Sequence, residues 1–267
     1  MKIGLIIIGD EILSGKRQDK HFPVVLKTLQ DRGLALSWVN YLGDDHKHLT
    51  ESLRLSFGRG DLVFSCGGIG ATPDDRTRQA AAAALGRSLV LHPEAEKLIT
   101  QRCADMAAEG KGSADMSLPE NRQRLKMGEF PEGARIIPNP FNRIPGFSVH
   151  DHHFLPGFPV MAWPMIELTL DAHYSHLFHR ERIAEKAFWV FDLPESVATP
   201  LLESIESRYP GIKTFSLPSA GANPARRHIE LGVKGPAEQI SAPFEELFAG
   251  ISALGAQTTR EAPGDDR

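Results

Sequence analysis

The chain has 267 residues, of which 41% are hydrophobic and 24% are charged, a composition typical of a globular protein long enough to bury its own core. Its formal net charge of −4 supplies no positive field to attract nucleic acid or an anionic membrane. The two cysteines, Cys66 and Cys103, form no CxxC pair, which argues against a disulfide framework or a structural zinc site, so we expect a cytoplasmic protein.

Predicted strands and helices alternate over the first ninety residues. Residues 3–8 are apolar and β-branched, as in a buried parallel strand, and are too few for a secretory signal or a membrane span. The alternation predicts strands over 3–8, 34–42 and 62–66, followed by helices that begin near Phe22, at Asp44 or Asp45, and at Thr72. Right-handed crossovers then require a three-layer α/β/α domain with a mainly parallel sheet.

The rest of the chain is less regular. Up to residue 180 we predict a short strand, a helix, a mobile loop, three short strands and a final helix, over 88–91, 93–108, 109–119, 135–138, 146–150, 153–155 and 160–178. The pattern then changes to βαββα, which predicts a second, small α+β domain. The predicted organisation is a domain over 1–180, a small domain over 181–256 and a polar tail over 257–267.

Unusual loops follow the first and third predicted strands, where ligands bind in open parallel sheets. The third loop contains Gly67, Gly68 and Gly70, which allow backbone N–H groups to approach a phosphate. The loop has neither GxGxxG spacing nor a GK[ST] sequence, so it is not a dinucleotide fingerprint or a Walker loop. A tight turn is the alternative explanation of these glycines.

Acidic residues follow all three strands and should therefore converge at one edge of the sheet. They are Asp10, Glu11, Asp44, Asp45, Asp74 and Asp75. Clustered carboxylates repel one another unless a cation offsets their charge, and oxygen ligands select Mg²⁺ or a similar divalent ion. The pattern predicts a metal-assisted phosphate site, while helix capping and a solvated loop are the alternative roles of these acids.

The ordered motifs resemble the molybdopterin-binding (MoaB/Mog-like) domain, most closely the version in competence/damage-inducible protein A (CinA). The resemblance covers residues 1–178 and is carried by GDEIL, GDD, GGIGATPDDRT, PNP, PGF and LPGFP, which start at residues 9, 43, 67, 138, 145 and 155. The βαββα segment is similar to the small KH-like domain of CinA proteins. Their C-terminal deamidase domain has no expected counterpart in this sequence.

The resemblance implies roles for individual residues. It places Asp44 and Asp75 around the pterin phosphate and a divalent metal, and it matches Asp10 and Glu11 to the acids after the first strand. For a hydrolase we expect Asp75 with Asp44 or Asp10 to hold the cation, Glu11, Asp44 and Asp75 to be catalytic, and Glu11 to be the base. The resemblance implies that the phosphorylated ligand contacts the glycine loop and the remaining motif residues, namely Gly67, Gly68, Gly70, Thr72, Thr77, Asn139, Pro156 and Gly157. In the CinA branch this pocket is associated with metal-dependent hydrolysis of ADP-ribose-like pyrophosphates.

Two positions depart from the family pattern. Met161 replaces the Glu of the family sequence LPGVPxEM, and the family sequence DTN is Asp19, Lys20 and His21 here. Three hypotheses stay open: a metal-dependent nucleotide pyrophosphatase, a molybdenum-cofactor biosynthesis protein that binds or adenylylates molybdopterin, and an inactive ligand-sensing module. We also expect a homo-oligomer without membrane or nucleic-acid partners.

Other residues give weaker signals. His150, His152 and His153 could bind a metal, but the pattern favours exposed histidines around a hairpin. We predict that Cys66 is buried at a strand end. Arg226 and Arg227 could contact nucleic acid, but the GxxG sequence of KH domains is missing.

Overall fold

The computed structural model describes residues 1–180, 183–219 and 227–261. Its internal contacts divide the chain into a first unit, Met1–Phe178, and a second unit that begins at His179. Arg226 lies outside the described residues. Among the described helices, none is both long and apolar enough to span a bilayer.

The first unit is built on a six-stranded sheet in the order β2-β1-β3-β8-β7-β6. β2, β1, β3 and β8 run parallel, and β7 is antiparallel to both of its neighbours. The strands are β1 Ile3–Ile8, β2 Trp38–Leu42, β3 Leu62–Cys66, β6 Arg135–Ile137, β7 Gly146–Val149 and β8 His152–Leu155; β4 Leu89–Leu91 and β5 Glu129–Pro131 form a separate ribbon.

Helices cover both faces of this sheet. They are α1 Asp10–Leu13, α2 His21–Gln30, α3 His46–Arg59, α4 Thr77–Leu85, α5 Pro93–Ala108, α6 Pro119–Leu125 and α7 Pro159–His173. In β1, Leu5 and Ile7 pack into a core with α2 and α7, whereas Ile6 and Ile8 pack into a second core with α3, α4 and α5. All six β1 side chains are buried, because a central strand with helices on both faces has no solvent side. The predicted three-layer α/β/α architecture with a mainly parallel sheet is confirmed.

The structure differs locally from the predicted elements. The second strand begins at Trp38 instead of residue 34, and the Trp38 indole fills the space that a Cβ on Gly4 would need. Helix α6 lies just after the predicted loop and was not predicted. His152 and His153, predicted to be exposed, are buried at 1% and 0% exposure because β8 is an internal strand of the sheet.

The second unit is a small α+β fold with its own core. It comprises β9 Ile183–Phe191, α8 Glu195–Arg208, β10 Lys213–Pro218, β11 His228–Pro236, α9 Ser241–Ala253 and β12 Gln257–Thr259. The strands form an antiparallel sheet in the order β10-β11-β9-β12. Residues 257–259, expected to belong to a polar tail, pair with β9 and extend the βαββα pattern by one strand.

Candidate functional site

Four turns meet at the carboxyl edge of the parallel strands. The turn after β1 contacts the end of β2, since the Gly9 amide donates to the Leu42 carbonyl over 3.0 Å. The turn after β3 contacts the end of β8, since the Gly67 amide donates to the Leu155 carbonyl over 3.0 Å. The edge where ligands bind in open parallel sheets is therefore a continuous group of turns.

Asp10 and Asp44 fasten the first two turns to each other. The Asp10 amide donates to Asp44 Oδ2 over 2.9 Å, and the Asp44 amide donates to Asp10 Oδ1 over 3.1 Å. Burial raises the pKa of Asp44, and the negative charges of Asp10, Glu11 and Asp74 raise it further, whereas the amide hydrogen bond lowers it. The predicted convergence of acidic residues from separate turns is thus present.

After Gly67, the glycine loop (residues 67–71) presents backbone amides that have no acceptor among the described residues. The amides of Gly68, Ile69 and Gly70 donate to no group among the described residues. A run of backbone N–H groups without protein acceptors in a turn can bind an anionic ligand. Gly68 has a φ of +67°, and a Cβ there would overlap Thr77 Oγ1, so this position needs glycine for both its conformation and its packing.

The helix after this loop begins later than predicted. Thr72 was expected to cap it, but α4 begins at Thr77 with Arg76 at the N-cap position. Asp75 Oδ2 accepts hydrogen bonds from the amide of Thr72 over 2.9 Å and from its hydroxyl over 2.5 Å. These bonds close a turn over residues 72–75, so Asp75 lies in the loop and not in the first turn of the helix.

A polar cleft of about 440 Å³ lies between these turns. It contains acidic and basic side chains as well as the glycine loop. Its wall includes Ile8, Gly9, Glu11, Ile12, Arg17, Gln18, Lys20, His21, Asp44, Gly67, Gly68, Asp74, Asp75, Gly157, Phe158 and Pro159.

A second, largely apolar cleft of about 420 Å³ lies on the other side of the glycine loop. Its wall includes Gly68, Ile69, Gly70, Ala71, Thr72, Asp75, Met127, Asn139, Asn142, Ile144, Pro145, Pro156, Gly157, Phe158 and Met161. Gly68, Asp75, Gly157 and Phe158 belong to both walls. A charged cleft and an apolar cleft therefore adjoin along one loop.

Most of the predicted site residues line these clefts. Glu11, Asp44, Asp75, Gly67, Gly68 and Gly157 line the polar cleft, and Gly70, Thr72, Asn139 and Pro156 line the apolar cleft. Asp10 and Thr77 are not among the wall residues of either cleft. Thr77 is fully buried, and its hydroxyl donates to the Gly67 carbonyl over 3.0 Å, so it supports the glycine loop from behind.

The Asn139 side chain stabilises a loop with its polar atoms. Its Nδ2 donates to Asn142 Oδ1 and to the Ile144 carbonyl, each over 2.9 Å, and its Oδ1 accepts from the Phe141 amide over 3.0 Å. Asn139 is only 5% exposed. The structure therefore gives this predicted ligand-binding residue the role of shaping one wall of the apolar cleft.

Several residues of the site were not predicted. Arg17, Lys20, His21 and Phe158 line the polar cleft, and the first three follow β1 in the segment that leads to α2. Two of these residues are cations a few positions after the acids of the first loop. That proximity, and the place of Lys20 and His21 at the family sequence DTN, were the available signals in the sequence.

Arg78 was also missed, and it supports the glycine loop from the core. Its guanidinium donates to the Gly70 carbonyl over 2.7 Å and to the carbonyls of Lys126 and Glu129. The side chain is only 2% exposed, and burial lowers its pKa. This buried arginine therefore holds the glycine loop in place relative to Lys126 and to Glu129, the first residue of β5.

The described residues offer few side-chain ligands for a metal ion. Within the described residues, no group of three or more His, Cys, Asp and Glu side chains is arranged to hold a metal ion. Met161, at the position of the family Glu, lies in the apolar cleft, with its sulfur 3.6 Å from Asn142 Nδ2. A cation in the polar cleft would therefore need further oxygen ligands from a bound molecule.

Comparison with known proteins identifies the family. Residues 4–175 match the model described as a probable molybdopterin binding domain. A CinA-like protein of Sulfurihydrogenibium is 32% identical over 213 residues, and one of Thermosipho melanesiensis is 28% identical over 270 residues. These matches cover 77% and 98% of this chain and 50% and 63% of the relatives. The chain spans about half the length of several curated relatives that it matches.

A solved structure agrees with this result. The crystal structure of the protein CinA from Thermoplasma acidophilum, whose function is described as unknown, has a TM-score of 0.54 and 26% identity, covering 64% of this chain and 98% of that chain. The chain therefore belongs to the molybdopterin-binding domain family, in its CinA-like branch.

Proposed function

We propose that the first unit binds an ADP-ribose-like nucleotide and hydrolyses its pyrophosphate with the help of a divalent cation. The observation that carries this proposal is the pair of adjoining clefts along the glycine loop, one charged and one apolar. A nucleotide diphosphate has the same division, because its phosphates are anionic and its base is flat and weakly polar. The glycine loop lies where the two parts of such a ligand would join.

Hydrogen-bond donors and positive charges in the polar cleft support the proposed binding of the diphosphate. The amides of Gly68, Ile69 and Gly70 have no acceptor among the described residues, and Arg17 and Lys20 line the same cleft. Backbone donors fixed in a loop stabilise negative charge without reorganising as it develops. We propose that they bind the diphosphate and the charge that forms when it is cleaved.

The acidic side fits a cation that the ligand helps to bind. Asp10 Oδ1 and Asp44 Oδ2 accept each other's amides, which leaves the second oxygen of each carboxylate available. Mg²⁺ is often held by one or two carboxylates together with substrate phosphates, so Asp75 with either Asp44 or Asp10 would suffice with a bound diphosphate. A cation in this position would polarise a phosphoryl oxygen of the ligand.

Glu11 is the proposed base. It lines the polar cleft beside Asp44 and Asp75 and can orient a water molecule toward the diphosphate and accept its proton. Met161 offers no carboxylate in the apolar cleft, so hydrolysis would depend on the acids of the polar cleft alone.

A pterin phosphate is the second candidate ligand. The matched family model describes a probable molybdopterin binding domain, and a pterin ring is as flat as an adenine ring. The same clefts would accept its ring and its phosphate. The third hypothesis, a ligand-sensing module without turnover, is favoured by Met161 in place of the family Glu.

A substrate panel separates these functions. Purified protein is incubated with ADP-ribose, FAD, NAD and molybdopterin-AMP, with and without Mg²⁺, Mn²⁺ or Co²⁺, and the products are separated by chromatography. Release of AMP from ADP-ribose only with metal supports the proposed hydrolase. Retention of a pterin without turnover supports the second candidate, and the absence of both turnover and pterin retention throughout the panel favours the inactive sensing module.

Calorimetry tests the acids directly. We expect Asp44→Asn to bind the metal at least about tenfold more weakly than wild type in the presence of ADP-ribose. The reason is that the substitution removes one of the few carboxylate oxygens that could bind the metal. Glu51→Gln, an exposed acid of α3 outside both clefts, is the matched control. Equal heats in wild type and Asp44→Asn would mean that the acids only join the turns.

A further inference from the structure

His21 has a buried ring nitrogen without a hydrogen-bond partner in the wall of the polar cleft. The side chain is 5% exposed, and its Nε2 lies 3.0 Å from the Gly157 carbonyl oxygen. Its Nδ1 is buried and has no hydrogen-bond partner among the described residues. A buried nitrogen without a partner is costly, so it is more often completed by a ligand or by water than left empty.

The partner of Nε2 determines how the ring can use Nδ1. A carbonyl oxygen only accepts hydrogen bonds, so Nε2 must carry a proton and donate it to Gly157. A neutral ring then has a lone pair on Nδ1, whereas a positively charged ring has a second N–H there. The neutral ring needs a hydrogen-bond donor from the ligand at Nδ1. The positively charged ring needs an acceptor there, such as a phosphate oxygen.

Gly157 connects this ring to the phosphate side of the site. A Cβ on Gly157 would lie 3.4 Å from the Cα of Gly67, so the turn after β8 packs closely against the glycine loop. His21 therefore holds, through Nε2, the turn that lies beside the loop with unpartnered amides. His21 belongs to the same cleft wall as that loop, and its free nitrogen is shielded from solvent behind the wall.

Charged groups face this cleft from each surrounding segment. Asp19 accepts the His21 amide over 2.7 Å, and the turn after β8 contributes no charged side chain to the wall. The remaining charged wall residues are Glu11, Arg17, Lys20, Asp44, Asp74 and Asp75. Protonation of these groups contributes to any measured uptake, so the test needs a variant that changes His21 alone.

We propose that His21 takes up a proton at Nδ1 when a ligand diphosphate enters the polar cleft, and donates this N–H to a phosphate oxygen. This inference rests on the proposed function, because it names a further contact of the same ligand. The proton comes from solvent, and no covalent bond of the ligand is formed or broken. The ring then makes two hydrogen bonds, to Gly157 and to the phosphate.

Proton-linked calorimetry tests the inference. ADP-ribose is titrated into the full chain without divalent metal, near neutral pH, in buffers that differ in ionisation enthalpy. Both phosphates of the ADP-ribose diphosphate are already ionised near neutral pH, so a change in bound protons arises in the protein. We expect uptake of up to about one proton per site in wild type, since the ring gains a proton only in the complex.

His21→Gln is the informative variant, because its Nε2 amide can still donate to Gly157 but cannot take up a proton. We expect it to lose the proton uptake and to bind ADP-ribose about tenfold more weakly, since it lacks the charge-assisted hydrogen bond. His48→Gln, an exposed histidine of α3 outside both clefts, should bind with unchanged affinity and uptake.

The alternatives give different results. Binding by wild type without proton uptake, or uptake that persists in His21→Gln, overturns the inference and leaves the proposed function standing. If wild type binds no ADP-ribose either in this titration or with Mg²⁺ present, the proposed function fails and the inference fails with it. Nitrogen NMR of the His21 ring during the titration reads Nδ1 protonation directly, so the test does not depend on the folding of the variant.

Discussion

Phe158 is an aromatic side chain exposed at the junction of the two clefts. It is 59% exposed and belongs to both walls, immediately before α7. An exposed phenyl ring beside the glycine loop is suited to stacking against a flat heterocycle. Stacking contributes about 1 to 3 kcal/mol per base when it is measured by alanine substitution.

Phe158→Ala should therefore weaken the binding of AMP by about tenfold, with no equal effect on ribose 5-phosphate, which has no base. Calorimetric titration of both compounds measures the difference. Phe141→Ala is the matched control, because Phe141 is 58% exposed but lines neither cleft. An equal loss for both compounds would show that Phe158 shapes the turn without contacting the base.

At the scale of one strand, β8 places two histidines in the core. His152 Nε2 lies 2.8 Å from Ser56 Oγ, and His153 bonds Ser148 Oγ through Nδ1 and Tyr174 Oη through Nε2. Burial lowers the pKa of His152 to about 4, with a smaller effect from His150. Burial also lowers the pKa of His153 to about 3, with smaller effects from Arg135, His152 and His173.

These two histidines should make the chain less stable in acid. Both are neutral in the folded protein and gain a proton in the unfolded chain below about pH 6.5, so unfolding takes up protons as the pH falls. We expect the free energy of unfolding to be unaffected by them above that pH and to decrease below it toward pH 4. The slope should approach 1.4 kcal/mol per pH unit for each histidine.

Denaturant melts across this pH range measure the slope. His153→Gln should reduce this slope by the contribution of one histidine, which is up to about 1.4 kcal/mol per pH unit. His48→Gln, on the exposed side of α3, should leave the slope unchanged. A slope that is identical in wild type and His153→Gln would mean that His153 titrates alike in the folded and unfolded chain.

Local signals explain which elements the sequence could predict. The bounds of β1, β3 and α5 were predicted to the residue, because each has a strong apolar pattern and a clear boundary residue. The start of α4 was not, because Asp75 bonds Thr72 and closes a turn where Thr72 with Pro73 is a typical helix start. Such competition between two uses of a side chain depends on geometry that the sequence does not contain.

The candidate site, too, could be predicted from the sequence only in part. The acids and glycines after the strands could be predicted, because their place follows from the direction of parallel strands. The burial of His152 and His153 could not, because β8 has only four residues and no periodicity separates an internal strand from a hairpin. The role of Asn139 depends on hydrogen bonds within a loop of irregular backbone.

At the scale of the whole molecule, the chain contains separate cores. Leu5, Phe64 and Met165 belong to a core of the first unit, whereas Phe188, Leu231 and Leu247 belong to the core of the second. All residues of both clefts lie in the first unit. A unit with its own core can in principle fold alone.

A chain truncated after Phe178 should therefore melt cooperatively and bind ADP-ribose within about threefold of the full chain, since it keeps both cores of the sheet and both clefts. Calorimetry and sedimentation of the two chains measure affinity, melting and self-association together. If the truncated chain is folded but binds weakly, the second unit completes the ligand site. If it never melts cooperatively, the first unit depends on the second for its stability. A loss of self-association at unchanged affinity would instead assign assembly to the second unit, because its antiparallel sheet contributes no residue to either cleft.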